Sequence, residues 1–135
     1  MKLDKPEPEP DAVSAFYWEA ARESTLVIQR CQACGRYLHP PGVVCPACLS
    51  EDLVPTEVSG RGRVYAYTVA HQAFDAAFSD DVPYLLALVE LDEQPGLRML
   101  TNLVGATAAD VESGAPVEVT YETRGNFKLP QFRLA

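Results

Sequence analysis

Cys31-Gln32-Ala33-Cys34-Gly35-Arg36-Tyr37-Leu38-His39-Pro40-Pro41-Gly42-Val43-Val44-Cys45-Pro46-Ala47-Cys48 is the stretch on which the reading of this chain turns. All four cysteines of the 135-residue sequence fall within these 18 positions, as two C-x2-C pairs separated by ten residues. A C-x2-C turn aims two thiolates at one point, and two such knuckles complete a tetrahedron. Gly35 suits the positive φ of a turn leaving the first knuckle, and Pro46 stiffens the second. A secreted disulfide framework would instead spread its cysteines along the chain to staple distant loops. Cys31, Cys34, Cys45 and Cys48 are therefore predicted to hold a metal, with zinc the default and iron in a rubredoxin-like site the rival. Four sulfurs leave no open position, so zinc here is expected to be structural. His39 shares the loop, but with four thiols present it reads as a surface or packing residue.

Working outward, residues 1–10 (MKLDKPEPEP) form an acidic, proline-rich tail or linker, expected to be extended and unpacked. Residues 11–24 are expected to hold a helix: Asp11 offers an N-cap, and neither proline nor glycine interrupts Asp11–Glu23. Phe16, Tyr17 and Trp18 are consecutive and spread over roughly 200° of that helix, more than one narrow stripe hides. Either the helix is clamped on two sides within its own fold, or part of this surface, with Phe16 and Trp18, meets another protein. Residues 25–53 make the four-cysteine module, entered through the β-prone run Thr25–Arg30.

Residues 54–135 read as strands. Arg63–Ala70 alternates Tyr65, Tyr67 and Val69 against Val64, Ala66 and Thr68, and Tyr84–Leu91 is an apolar strand. Leu97–Val104 follows after the turn Asp92–Gly96, as its hairpin partner; Val117–Thr123 and Leu129–Leu134 complete the set. A short helical or turn segment, Ala108–Gly114, lies between the third and fourth strands. Five strands with a connector after the third suit an OB-fold barrel, whereas a sandwich needs more. The predicted fold class is thus mainly β: an N-terminal helix, a rubredoxin-like zinc ribbon and a five-stranded OB-fold barrel.

Composition excludes several functions. The chain is 47% hydrophobic, enough for a core, and has 11 basic against 19 acidic residues, for a net charge of −8. That charge divides as −2 over residues 1–30, −1 over 31–53 and −5 over 54–135, so no segment is basic. OB-folds and zinc ribbons both serve as single-stranded nucleic-acid binders, which makes that the alternative function, but a net-acidic barrel lacks the cationic groove this requires. Arg61, Arg63, Arg124 and Lys128 would have to gather at one end to hold a phosphate. The longest apolar run, Tyr84–Val89, is too short to cross a bilayer, and the N-terminus lacks a secretory h-region. A cytoplasmic protein is expected. Catalytic groups are scarce: there are only two histidines, and His71 stands near Asp75, Asp80 and Asp81 without a nucleophile to serve. No catalytic residue is assigned.

Several stretches resemble a known family, a "domain of unknown function" group of acyl-CoA-associated proteins that join a rubredoxin-like zinc ribbon to an OB-fold. The resemblance rests on Phe16-Tyr17-Trp18-Glu19-Ala20, on Gln29-Arg30-Cys31, and on Pro40-Pro41 ahead of Cys45-Pro46-Ala47-Cys48. It continues through Ser59-Gly60-Arg61-Gly62-Arg63-Val64-Tyr65-Ala66-Tyr67-Thr68-Val69, Pro83-Tyr84 to Asp92, and Pro130-Gln131-Phe132, covering about residues 13–134. One departure is Leu49, where many relatives have glycine. The resemblance implies a non-catalytic accessory subunit or domain that binds and stabilises or activates a thiolase-like acyl-CoA enzyme, such as a steroid side-chain aldolase, or a hotdog-fold hydratase. It implies a hetero-oligomer and possible contact with acyl-CoA, with no nucleic-acid or membrane partner. Phe74 and Phe78, in a loop with Asp75, Ser79, Asp80 and Asp81, join Phe16 and Trp18 as expected interface residues; the rival is that the loop pair plugs the barrel's own end.

Overall fold

The computed structural model describes residues 4–135. Helix α1 (Ala15–Arg22) is followed by β1 (Val27–Cys31), β2 (Tyr37–Leu38) and β3 (Leu53–Glu57), then by β4 (Arg61–Ala70), β5 (Tyr84–Leu91), β6 (Arg98–Leu103), β7 (Pro116–Arg124) and β8 (Phe127–Leu134). The first three strands form one small sheet in the order β2-β1-β3, and the other five close into a barrel in the order β4-β5-β6-β8-β7. Strand β4 closes the ring against β7, and β6 meets β8 in parallel at Leu103 and Phe132. This is the topology expected of an OB-fold, with a 3-10 turn at Ala108–Asp110 as the connector after the third barrel strand.

Alternation builds the barrel core. Along β5, Leu85, Ala87, Val89 and Leu91 point inward and are buried, while Tyr84, Leu86, Leu88 and Glu90 are half-exposed. Gly62 lies so close to β5 that a Cβ there would collide with the Glu90 carbonyl. The core continues out of the barrel: Tyr17 of α1, and Leu26 and Ile28 of the ribbon, join the same buried cluster as Val64, Val89 and Phe132.

Three sequence expectations differ from the structure. The helix begins at Ala15 with Ser14 as N-cap residue, because Asp11 is spent one turn earlier: its carboxylate accepts from the Ser14 amide at 2.8 Å. The tail is not unpacked. Lys5 forms an ion pair with Asp81 at 2.6 Å and lies over the Phe78 ring, and the Glu7 carboxylate accepts from the Asn126 amide. Residues 1–3 of that tail lie outside the described residues. The alternation read along β4 holds only up to Val64; a bulge between Val64 and Ala66 then leaves Tyr65 to Thr68 all exposed. Arg61 and Arg63 pair with one end of β7, whereas Arg124 and Lys128 lie at the other, so the four cations do not gather.

Candidate metal centre and adjoining surfaces

The two knuckles repeat one local geometry. In the first, the Gly35 amide donates to the Cys31 carbonyl and the Cys31 amide to the Arg36 carbonyl, both at 2.8 Å. In the second, the Leu49 amide donates to Cys45 and the Cys45 amide to Ser50, also at 2.8 Å. Each turn passes through the left-handed region at the residue after its second cysteine, φ 80° at Gly35 and φ 66° at Leu49. Leu49 therefore occupies a conformation that glycine adopts without strain, which is the position where the family resemblance noted a departure.

The four Sγ atoms lie within 4.8 Å of one another, with Cys31–Cys48 and Cys34–Cys45 each at 3.6 Å. A tetrahedron of Zn–S bonds of about 2.3 Å has sulfur–sulfur edges of about 3.8 Å, so the set fits structural zinc. The thiols also show why a cation belongs among them. Backbone amides, that of Cys34 foremost, draw the Cys31 thiol down to about 7, and the amide of Cys48 leads in lowering Cys45. The Ser50 amide favours the Cys48 thiolate, but crowding by the other three sulfurs pushes this group up to about 12. Four thiolates so close repel one another until a divalent ion neutralises them.

Apolar packing around the thiols themselves is thin, since the module's separate core consists of Cys31, Leu38 and Cys45 with Leu53 against them. His39 is not among the clustered ligands. Its ring lies 5.5 Å from that of Tyr17, and burial lowers its pKa to about 4, so it is a neutral packing residue between ribbon and helix.

Two glutamines to which the sequence assigns no structural role organise the ribbon. Gln29 accepts from the Gly42 amide at 2.8 Å and donates to the Gly42 carbonyl at 3.0 Å, fixing the long loop. Gln94, in the turn between β5 and β6, makes the same paired contact with the Tyr37 amide and carbonyl, at 2.8 and 3.1 Å. It thereby acts as one residue of strand laid against β2 and joins barrel to ribbon.

Of the aromatics, Phe16 and Trp18 are half-buried against the main core, Trp18 standing edge-on to Tyr17 and to Phe127 of β8. Phe78 is half-buried beside Tyr84 and within cation–π reach of Lys5 and Arg124. Phe74 is 93% exposed. His71 is exposed, and among the described residues no hydrogen bond or ion pair links it to a carboxylate. No helix among the described residues is long and apolar enough to cross a membrane.

Residues 18–54 match the family described as "ChsH2, rubredoxin-like zinc ribbon domain", and residues 55–122 that described as "ChsH2, C-terminal OB-fold domain". Among curated proteins, the chain is 46% identical over 135 residues to a probable enoyl-CoA hydratase alpha subunit of Thermomonospora curvata. That match takes in 99% of this chain but only 41% of the relative, so the chain spans about two fifths of its length. A DUF35 domain-containing scaffold protein of Methanocaldococcus jannaschii is 33% identical over 77% of this chain and 73% of its own. Among solved structures, a chain of the Ltp2-ChsH2(DUF35) aldolase superposes with a TM-score of 0.84 at 44% identity, covering 95% of this chain and 98% of that one.

Proposed function

The chain belongs to the ChsH2 (DUF35) family of zinc-ribbon and OB-fold proteins, and from that premise we propose that it is a non-catalytic accessory domain which binds, and stabilises or activates, a thiolase-like acyl-CoA enzyme. The observation that carries this reading is the likeness, over nearly the whole of both chains, to part of an aldolase named for two components. In the proposal Cys31, Cys34, Cys45 and Cys48 hold one zinc ion, which supplies a rigid cross-link and no Lewis-acid step, since four thiolates fill a tetrahedral site. The acyl-CoA chemistry then belongs to the partner; the aldolase relative favours aldol cleavage as its reaction class, and the family resemblance favours a steroid acyl-CoA as its substrate.

The test is co-expression with a thiolase-like acyl-CoA enzyme from the same genome, followed by size-exclusion chromatography and an acyl-CoA turnover assay with and without the chain. A co-eluting complex whose activity or solubility falls when the chain is omitted supports the reading. Separate elution of two folded proteins, with unchanged enzyme activity, refutes it.

A further inference from the structure

Strand β4 has one edge fully used and one largely unused. On one side β5 pairs with it from Gly62 to Ala70. On the other, β7 pairs only with Arg61–Arg63, and the last main-chain bonds are those of Val64 with Gly114 and Ala115. Among the described residues, no strand or side chain bonds the outward main-chain groups of Tyr65–Ala70, six residues or about 20 Å of open edge.

Apart from the bulge at Val64–Ala66, this edge carries none of the usual protection. Tyr65-Ala66-Tyr67-Thr68-Val69-Ala70 has no charge, no proline and no glycine, whereas free edges in isolated proteins are blunted by lysine, proline or covering loops. Past the bulge in its pairing with β5 the side chains of this segment are exposed: Tyr65 is 51% exposed, with the Arg98 guanidinium 3.8 Å from its ring centroid. Register extends the patch across the sheet. Ala66 lies opposite Leu88, and Leu88 opposite Leu100, which is 75% exposed. An apolar row thus crosses three strands and ends at the open edge. The next row, Arg63–Glu90–Arg98, has two cations to one anion.

We infer that β4 is completed in the assembly by an extended segment of the partner enzyme, which adds to the Tyr65–Ala70 edge as a further strand. This inference rests on the partner reading above and names the surface that reading lacks. The segment fits if its side chains alternate, with apolar groups continuing the Ala66–Leu88–Leu100 row and an acidic residue at the end near Arg63 and Arg98. A second copy of this chain fits less well, because it would bring together two chains of net charge −8. Main-chain hydrogen bonds supply the affinity in such strand addition, and the alternate side chains supply the specificity.

The experiment is hydrogen–deuterium exchange of the zinc-loaded chain, alone and in complex with the thiolase-like enzyme, beside the Ala66→Lys/Thr68→Lys variant. Both replaced side chains are exposed on the outer face, so the variant's melting temperature should stay within about 2 °C of the parent. Exchange over Tyr65–Ala70 should slow at least tenfold in the complex, and the variant should bind at least tenfold more weakly. A complex that forms with exchange over Tyr65–Ala70 unchanged overturns the edge and leaves the partner reading standing. Failure of any complex to form overturns both. Protection of Tyr65–Ala70 in a dimer of the chain alone also overturns the inference, in favour of self-pairing.

Discussion

Leu49→Gly should make the protein more stable, although it deletes a large apolar side chain. The residue holds φ 66° in the turn that closes the second knuckle, where its amide must donate to Cys45. An L-residue in the left-handed region costs about 1–2 kcal/mol through the contact of Cβ with the following carbonyl. Glycine removes that cost and returns about 0.5–1 kcal/mol of it as extra freedom in the unfolded chain. The lost side chain matters little, since Leu49 is 74% exposed. The net expectation is a gain of about 0.5–1 kcal/mol, or about 2–5 °C in Tm for a chain of this size. Thermal unfolding with zinc in slight excess reads the change, and competition with a chromogenic chelator should show slower zinc release. Gly35→Ala is the reciprocal control. A Cβ at Gly35 would have Arg30 Nη2 at 3.9 Å as its nearest neighbour, so there is room for it and the expected loss of about 1 kcal/mol is purely conformational. If Leu49→Gly lowers Tm by more than 2 °C while Gly35→Ala is neutral, the knuckle-strain argument is wrong. If stability rises but binding to the acyl-CoA enzyme weakens, leucine is retained there for contact.

Three other outcomes follow from the geometry. Elemental analysis should find about one zinc per folded chain, and chelation should unfold the ribbon, whose separate core is so small; a folded chain that holds stoichiometric iron, or no metal, contradicts this. Gln94→Ala removes two hydrogen bonds to Tyr37 and should cost about 2 kcal/mol in denaturant unfolding; a loss below 0.5 kcal/mol would show that this pair of bonds does not hold ribbon to barrel. His39, lowered to about 4 in the fold against 6.5 when free, should take up a proton on unfolding between those values, so its contribution is complete above pH 6.5 and is lost as pH falls toward 4. His39→Phe should flatten the acid limb of the stability curve relative to the parent, with zinc loss common to both; identical limbs would mean that the histidine is not sequestered.

The ligand cluster and the barrel were legible because each is announced by local spacing. Two C-x2-C pairs close on a metal whatever surrounds them, and the alternation along β5 is that of a strand with one buried face. What escaped was set by contacts distant in sequence. Gln29 and Gln94 look like ordinary polar residues until their partners, 13 and 57 positions away, are brought alongside. Asp11 satisfies the rule for an N-cap, yet Ser14 lies close enough to capture its carboxylate and the helix starts later. Along β4 the period of two was correct as far as the bulge, but a period of two cannot distinguish a strand inside a closed barrel from one that runs past its end. The proline-rich tail has the composition of a free linker, yet its Lys5 finds Asp81 in the loop after β4.

The join between ribbon and barrel bears on how such a chain would act on a partner. Leu26 and Ile28 belong to the barrel's own core cluster, Gln94 bonds across to β2, and the Glu93 carboxylate, one residue earlier, accepts from the Ser59 amide at 2.7 Å beyond the end of β3. Helix α1 closes the same seam from the other side, through Tyr17 against His39 and Trp18 against Phe127. Zinc, ribbon, helix and barrel thus share one set of contacts rather than sitting as beads on a string. A metal that only cross-links four cysteines then also fixes where β1 delivers Ile28 to the core and where β2 receives Gln94. The open edge of β4 lies on the barrel, whose packing continues into that seam. Removal of zinc should therefore weaken partner binding at that edge even though the edge residues themselves touch no part of the metal site. Isothermal titration of the zinc-loaded and chelated chain against the acyl-CoA enzyme measures this coupling, and equal affinities would show that ribbon and barrel act separately.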